Sequence, residues 1–145
     1  MPTGTGHRTS RQQAGDAAES LVAGLLTARG WIVLARNVHA GRSELDIVAV
    51  DPGPPSRLVV VEVRWRRSRD FGGAEETFDH RKRTRLRIGL ARLLEAGRLP
   101  DGSALPRLPL AVDLAVVEPR AQGPRAGSLR AAQPAVRLYR NVLGD

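Results

Sequence analysis

Two valine-rich runs, Glu44 to Val50 and Leu58 to Trp65, flank a connector, Asp51 to Arg57, that holds Pro52, Gly53, Pro54 and Pro55. Such a connector can only be a loop, and runs of this composition on either side read as strands. A short loop between strands implies an antiparallel hairpin, in which facing residues have numbers summing to about 108. Asp46 then faces Glu62, and Glu44 faces Arg64. Because side chains alternate, these four residues should share one face, with Leu45, Ile47, Ala49, Val59, Val61 and Val63 on the other. The expectation is one packed face and one that carries chemistry.

Directly opposed residues have Cβ atoms about 5 Å apart, and two carboxylates at that distance repel by roughly 3 kcal/mol at an effective dielectric of 20. Such a pair is stable if a cation sits between the acids, if one acid is protonated, or if Arg64 neutralises them. A register shifted by two would keep the shared face and separate the carboxylates. With no cysteine and no histidine cluster, the hard oxygen ligands point to Mg²⁺ or Mn²⁺.

The surrounding pattern predicts one α/β domain with the element order α-β-β-β-α-β-β and a mixed central sheet flanked by helices. A first helix spans Gln12 to Arg29, its apolar stripe read as Ala14, Ala18, Leu21, Leu25 and Ala28, with Gly30 as its stop. It brings Glu19 near that stripe as a third acid. Trp31 to Asn37 reads as a strand and His39 to Ser43 as a turn. A second helix starts at the cap Asp79 and runs to Ala96, with Leu86, Leu90, Leu93 and Leu94 as its buried stripe. Leu110 to Val117 and Ala135 to Tyr139 complete the strands. Residues 1–11 and the stretch 119–134 lack periodicity and are expected to be flexible, leaving 12–145 as the domain.

At 145 residues and 41% apolar content, the chain suits a single core. The absence of cysteine excludes disulfides and thiol catalysis, and a polar start with no long apolar run argues for a cytoplasmic protein, neither exported nor membrane-embedded. A net charge of +8 favours a polyanionic partner, nucleic acid first. Lys82 is the sole lysine, and this wholesale use of arginine reads as a composition bias, so Arg over Lys at one position carries little weight. Candidate nucleic-acid contacts are Arg66 and Arg67 after the third strand, and Arg81, Lys82 and Arg85 on the second helix. No phosphate-cradling glycine motif is present, so nucleotide cofactors are not expected.

Several motifs fall together in order: Gly15 with Ala18-Glu19, Gly30, Asn37, Ser43-Glu44-Leu45-Asp46-Ile47-Val48-Ala49, Val61-Glu62-Val63-Arg64-Trp65-Arg66, Phe71-Gly72 and Lys82. Val112-Asp113-Leu114 and Arg140-Asn141 follow more loosely. The set resembles the YraN-related family of small bacterial proteins, a branch of the PD-(D/E)xK, or restriction-endonuclease-like, nuclease superfamily. That resemblance implies a restriction-endonuclease-like domain, Asp46 and Glu62 as ligands of Mg²⁺ or Mn²⁺, and Glu19 as an auxiliary ligand. It also implies hydrolysis of phosphodiester bonds, DNA more than RNA, with branched or damaged DNA as a candidate substrate.

The superfamily's catalytic lysine, two residues after the Glu, is here Arg64. A guanidinium can stabilise a phosphate but stays protonated and cannot act as a general base. Lys82 on the neighbouring helix is the alternative cation. A non-catalytic nucleic-acid-binding protein that retains the fold is therefore the second reading, and a homodimer is compatible with either.

Overall fold

The computed structural model describes residues 10–66, 79–118 and 134–144. Its elements are α1 (Ser10–Ala28), β1 (Ile32–Ala40), β2 (Ser43–Asp51), β3 (Arg57–Trp65), α2 (His80–Ala96), β4 (Leu110–Glu118) and β5 (Ala135–Tyr139). This is the expected order. Of the two segments expected to be flexible, residues 1–9 and 119–133 lie outside the described residues, along with Arg67 and Phe71-Gly72. Helix α1 begins at Ser10, inside the first segment and ahead of the expected start at Gln12.

The five strands form one mixed sheet in the order β1-β2-β3-β4-β5. The pairings β1–β2, β2–β3 and β4–β5 are antiparallel, whereas β3 and β4 run parallel. A parallel pair cannot be joined by a tight turn. The chain between β3 and β4 contains α2, which packs on one face of the sheet with Leu86, Leu90 and Leu93 against Val38, Leu45, Val48, Val60, Val112 and Leu114. On the other face α1 sets Ala18, Val22, Ala23 and Leu26 against Ile47, Ala49, Val59, Val61 and Ala115. Both faces are thus packed, which corrects the expectation that one face is packed while the other carries chemistry. The alternating apolar residues of β3 and β4 serve two cores, as strands covered on both sides must.

Helix α2 has the ends its sequence announces. Asp79 caps it by accepting from the Lys82 N–H, and Gly97, in the left-handed region with φ 65°, closes it by donating its N–H to the Leu93 carbonyl.

Two stripes differ from the sequence reading. In α1 the buried positions are Ala18, Glu19, Val22, Ala23 and Leu26, while Leu25 and Ala28 are exposed. The helix is rotated relative to the alanine-counted stripe because Val22 and Leu26 bury more apolar surface than Ala14 or Ala28 would. In α2, Leu94 is 53% exposed. Leu93 already fills the position beneath it, and the next residue around the helix must point outward.

Strand β1 is longer than expected: it continues to Ala40, so that the turn is confined to Gly41 and Arg42. Gly41 has φ 65°, a left-handed backbone conformation that favours glycine at the tip.

Candidate functional site

The β2–β3 register is the one the loop length dictates: Ile47 faces Val61, Val48 faces Val60 and Asp51 faces Arg57. The registered pairs stop at Ile47–Val61. One residue further, the Val63 N–H donates to Asp46 Oδ2 at 2.8 Å, so a carboxylate takes a main-chain donor at the point where the ladder ends.

Alternation breaks at the same point. Ile47 belongs to the core under α1, yet Leu45, two residues away, belongs to the core under α2. In an uninterrupted strand they would share a face. The partner strand changes face in step: Arg36, facing Ile47, reaches Glu19 on α1, whereas Val38, facing Leu45, packs under α2. Between them Asn37 has φ 52°, the left-handed conformation that asparagine tolerates better than most residues. Leu45 therefore does not line up with Ile47 and Ala49 as the alternation rule predicted.

Asp46 sits at this change of face, half-buried, and meets both sides. It lines a cleft of about 530 Å³ with Gln12, Gly15, Asp16, Glu19 and Glu44, on the α1 side. It also shares a side-chain hydrogen bond with Glu62, whose carboxylate accepts from the Asp46 backbone N–H. Glu44 is turned towards this cleft. Among the described residues no ion pair joins it to Arg64, and the expected Glu44–Arg64 pairing does not survive the face change.

Glu62 is almost fully buried, and its Oε1 has no hydrogen-bond partner among the described residues. Burial pushes its carboxyl up to about 8, with the Asp46 carboxylate adding to the rise and the Lys82 ammonium opposing it. Two ways to relieve opposed acids are visible here: burial favours the neutral form of Glu62, and the Lys82 ammonium opposes it with a counter-charge.

Lys82 stands at the other side of the pair. It is half-buried, and burial lowers its ammonium, against the opposing pull of Glu62, with Arg64 lowering it further and Asp46 raising it. Arg64 is half-buried beside it.

Glu19 is buried and accepts from Arg36 Nε at 3.2 Å. Burial raises its carboxyl, the hydrogen bond from Arg36 lowers it, and Asp46 raises it again. The structure brings Glu19 into the Asp46 cleft, occupied with Arg36.

The basic candidates divide. Arg81 and Arg85 are exposed on α2, whereas Arg66 Nη1 lies 3.6 Å from Glu118 Oε1 at the end of β4.

Sequence reasoning missed a second charged cluster. Asp113 is fully buried in β4, and Arg140 Nε stands 2.7 Å from its Oδ2, without the alignment of a hydrogen bond. Arg140 also donates to Asp51 Oδ2, and its guanidinium lies 5.2 Å from the Trp31 ring centroid. The Asn141 N–H donates to Asp113 Oδ1 at 2.9 Å. The signal was an aspartate in the middle of the apolar run Leu110 to Val117.

Among the described residues no three His, Asp or Glu side chains are grouped closely enough to form a complete metal cage. A small hard cation does not require one: Mg²⁺ is commonly held by one or two carboxylates and fills its remaining positions with water and phosphate oxygens. The paired Asp46 and Glu62 carboxyls, one with a buried unpartnered oxygen, fit that donor set. Among the described residues no helix is long and apolar enough to cross a membrane.

Comparison with known proteins gives a concordant family. The model of the family described as "Uncharacterised protein family UPF0102" matches residues 18–118. A UPF0102 protein of Roseiflexus castenholzii is 42% identical over 99 residues, 68% of this chain and 75% of the relative. One from Symbiobacterium thermophilum is 38% identical over 112 residues, covering 77% and 87% of the two chains. One from Pseudomonas savastanoi pv. phaseolicola is 42% identical over 79 residues, 54% of this chain and 62% of the relative.

Proposed function

The chain belongs to the UPF0102 family, the YraN-related group its motifs resemble, and from that premise we propose that it is a metal-dependent nuclease acting on phosphodiester bonds of DNA. The observation that carries the reading is the buried Asp46–Glu62 pair, with its unpartnered oxygen, at the edge of a cationic helix start. Opposed acids destabilise a sheet, and the sequence retains both. A centre that binds a cation gives that arrangement a purpose.

Asp46 and Glu62 would hold Mg²⁺ or Mn²⁺. The cation supplies a water of lowered pKa and neutralises charge on the attacked phosphate. Glu19, across the cleft, is an auxiliary acid that Arg36 holds until it is needed. The remaining work falls to fixed positive charge. Arg64 and Lys82 flank the pair and favour a phosphate beside it. The exposed Arg81 and Arg85 extend that field along α2, and Arg66, beside Glu118, stands at the end of β3. Arg67, outside the described residues, is a candidate by sequence alone. Branched or damaged DNA in the cytoplasm is the substrate class this reading favours.

A second reading, a nucleic-acid-binding protein without turnover, draws on Arg64 standing where a general base would need to lose a proton. Incubation with single-stranded, duplex and four-way-junction DNA plus Mn²⁺ or Mg²⁺ separates the two. The nuclease reading expects cleavage that vanishes in Glu62→Ala. Cleavage that persists in the variant removes the site, and salt-sensitive binding without cleavage selects the second reading.

A further inference from the structure

We infer, building on the nuclease reading, that Lys82 of α2 is the cation that contacts the phosphate under attack, with Arg64 of β3 in an outer, supporting position. The argument begins with the helix. Lys82 precedes the buried Leu86 by four residues, and Leu86 precedes the buried Leu90 by four. Residues at that spacing share a face, so Lys82 is the polar head of the stripe that α2 presses on the sheet. Its placement is fixed from behind. The Asp79 carboxylate accepts from the Lys82 N–H at 2.9 Å and locks the first turn.

Side chains in a helix lean towards its N-terminus, so Lys82 is directed to the end of α2 that overlies the acid pair. Both Glu62 and Asp46 act on its charge there. Glu62 shares that side of the sheet: Val60, two residues before it, packs in the α2 core.

In the structure Lys82 serves as counter-charge to the acids. A divalent cation held by Asp46 and Glu62 would supply the counter-charge instead, and the three ammonium donors of Lys82 would then be available to a non-bridging phosphate oxygen. A compact ammonium suits a half-buried position better than the broad fork of a guanidinium, which needs a planar, bidentate partner. The first-turn N–H groups of α2 add positive potential at the same place. Arg64 carries like charge beside Lys82, so one of the two must stand further from the centre, and Arg64 lies towards the end of β3, where no hydrogen bond among the described residues locks it as Asp79 locks the first turn of α2.

The single lysine makes the test direct. Reductive methylation with ¹³C keeps the charge and gives one lysine side-chain signal in the full chain. Adding a phosphorothioate duplex in saturating Mg²⁺ should shift that signal; a signal unmoved by saturating duplex overturns the inference. In cleavage assays with Mn²⁺, Lys82→Met should lose about a hundredfold or more in rate, the range for removing one donor to a developing oxyanion, while calorimetry shows Mn²⁺ still bound. Arg64→Met should lose less. Lys82→Arg keeps the counter-charge for Glu62, so it should match the wild type in thermal stability yet stay impaired in cleavage. Full activity in Lys82→Arg, or a larger loss in Arg64→Met than in Lys82→Met, overturns the assignment. If the wild type cleaves no nucleic acid, the hydrolase reading fails, and the methyl signal alone then decides whether Lys82 meets phosphate.

Discussion

Substitution of Glu62 by Gln probes the acid pair without altering its shape. In the folded protein the Glu62 carboxyl is raised from 4.5 to about 8, chiefly by burial and then by Asp46. A carboxyl raised on folding leaves stability intact below the unfolded value, and stability is lost as pH climbs towards the folded value, because the unfolded chain ionises first. Each pH unit inside that window is worth about 1.4 kcal/mol. Between pH 5 and pH 7, without divalent cations, the wild type should therefore lose about 3 kcal/mol that Glu62→Gln retains. Glu19 and Asp113 are also raised by burial and titrate with the same sign, but they remain in both proteins and cancel in the difference. Urea titrations across that pH range give the two curves. Parallel curves would refute the reasoning, because they would mean that the Glu62 carboxyl ionises as freely in the fold as in the unfolded chain. A second readout comes from the Glu62 proton: Mn²⁺ binding near pH 7 should release about one proton, seen as a buffer-dependent heat in calorimetry and absent in the Gln variant.

Arg140→Met removes the cation from the fully buried Asp113 and from Asp51. It should cost about 2 to 4 kcal/mol, below the largest values for an orphaned charge because half of the guanidinium is in water, and a loss under about 0.5 kcal/mol in urea would contradict it. Leu45→Ala empties a fully buried position next to Asp46, and the expected cost is about 2 to 5 kcal/mol by thermal unfolding; a change under about 1 kcal/mol would mean that α2 does not press on β2 there. Replacing Arg81 and Arg85 with Ala should weaken DNA binding across all sequences and make its log–log salt dependence shallower by about 0.9 for each phosphate the protein no longer neutralises. An unchanged slope would take the exposed face of α2 out of the interface.

The element order and the meeting of Asp46 with Glu62 were legible because both rest on local rules. Capping at Asp79 and Gly97 ends a helix wherever it packs, and an antiparallel register follows from the loop between Asp51 and Arg57 alone. What escaped the sequence depends on where elements go in space. The Arg140–Asp113–Asp51 cluster joins the residue after β5, the interior of β4 and the end of β2, with Arg140 and Asp51 separated by 89 positions. No periodicity announces such a contact. The phase of α1 escaped for a related reason: alanines and larger residues count alike in a pattern, whereas a core selects by area, and Val22 with Leu26 outweighs Ala14 with Ala28.

The alternation rule failed at a bulge between Val33 and Ala35 and, at the acid pair, where β1 and β2 change face together at Asn37 and Asp46. The second failure separates the acids' surroundings. Without it, Asp46 and Glu62 would both lie wholly under α2, in a core that already holds Leu45, Leu86 and Leu90, with no opening for a hydrated ion. With it, Asp46 lines an acidic cleft beside α1 while still hydrogen-bonded to Glu62, on which Lys82 acts from the α2 side. Positive charge thus lies on one side of the pair and negative charge on the other. On the nuclease reading, a polyanion would be drawn to the α2 side and a cation would enter from the Glu19–Glu44 cleft. The left-handed Asn37 then marks, on that same reading, the point where the fold would leave a buried acid pair open to a cation on one side and to a phosphate on the other.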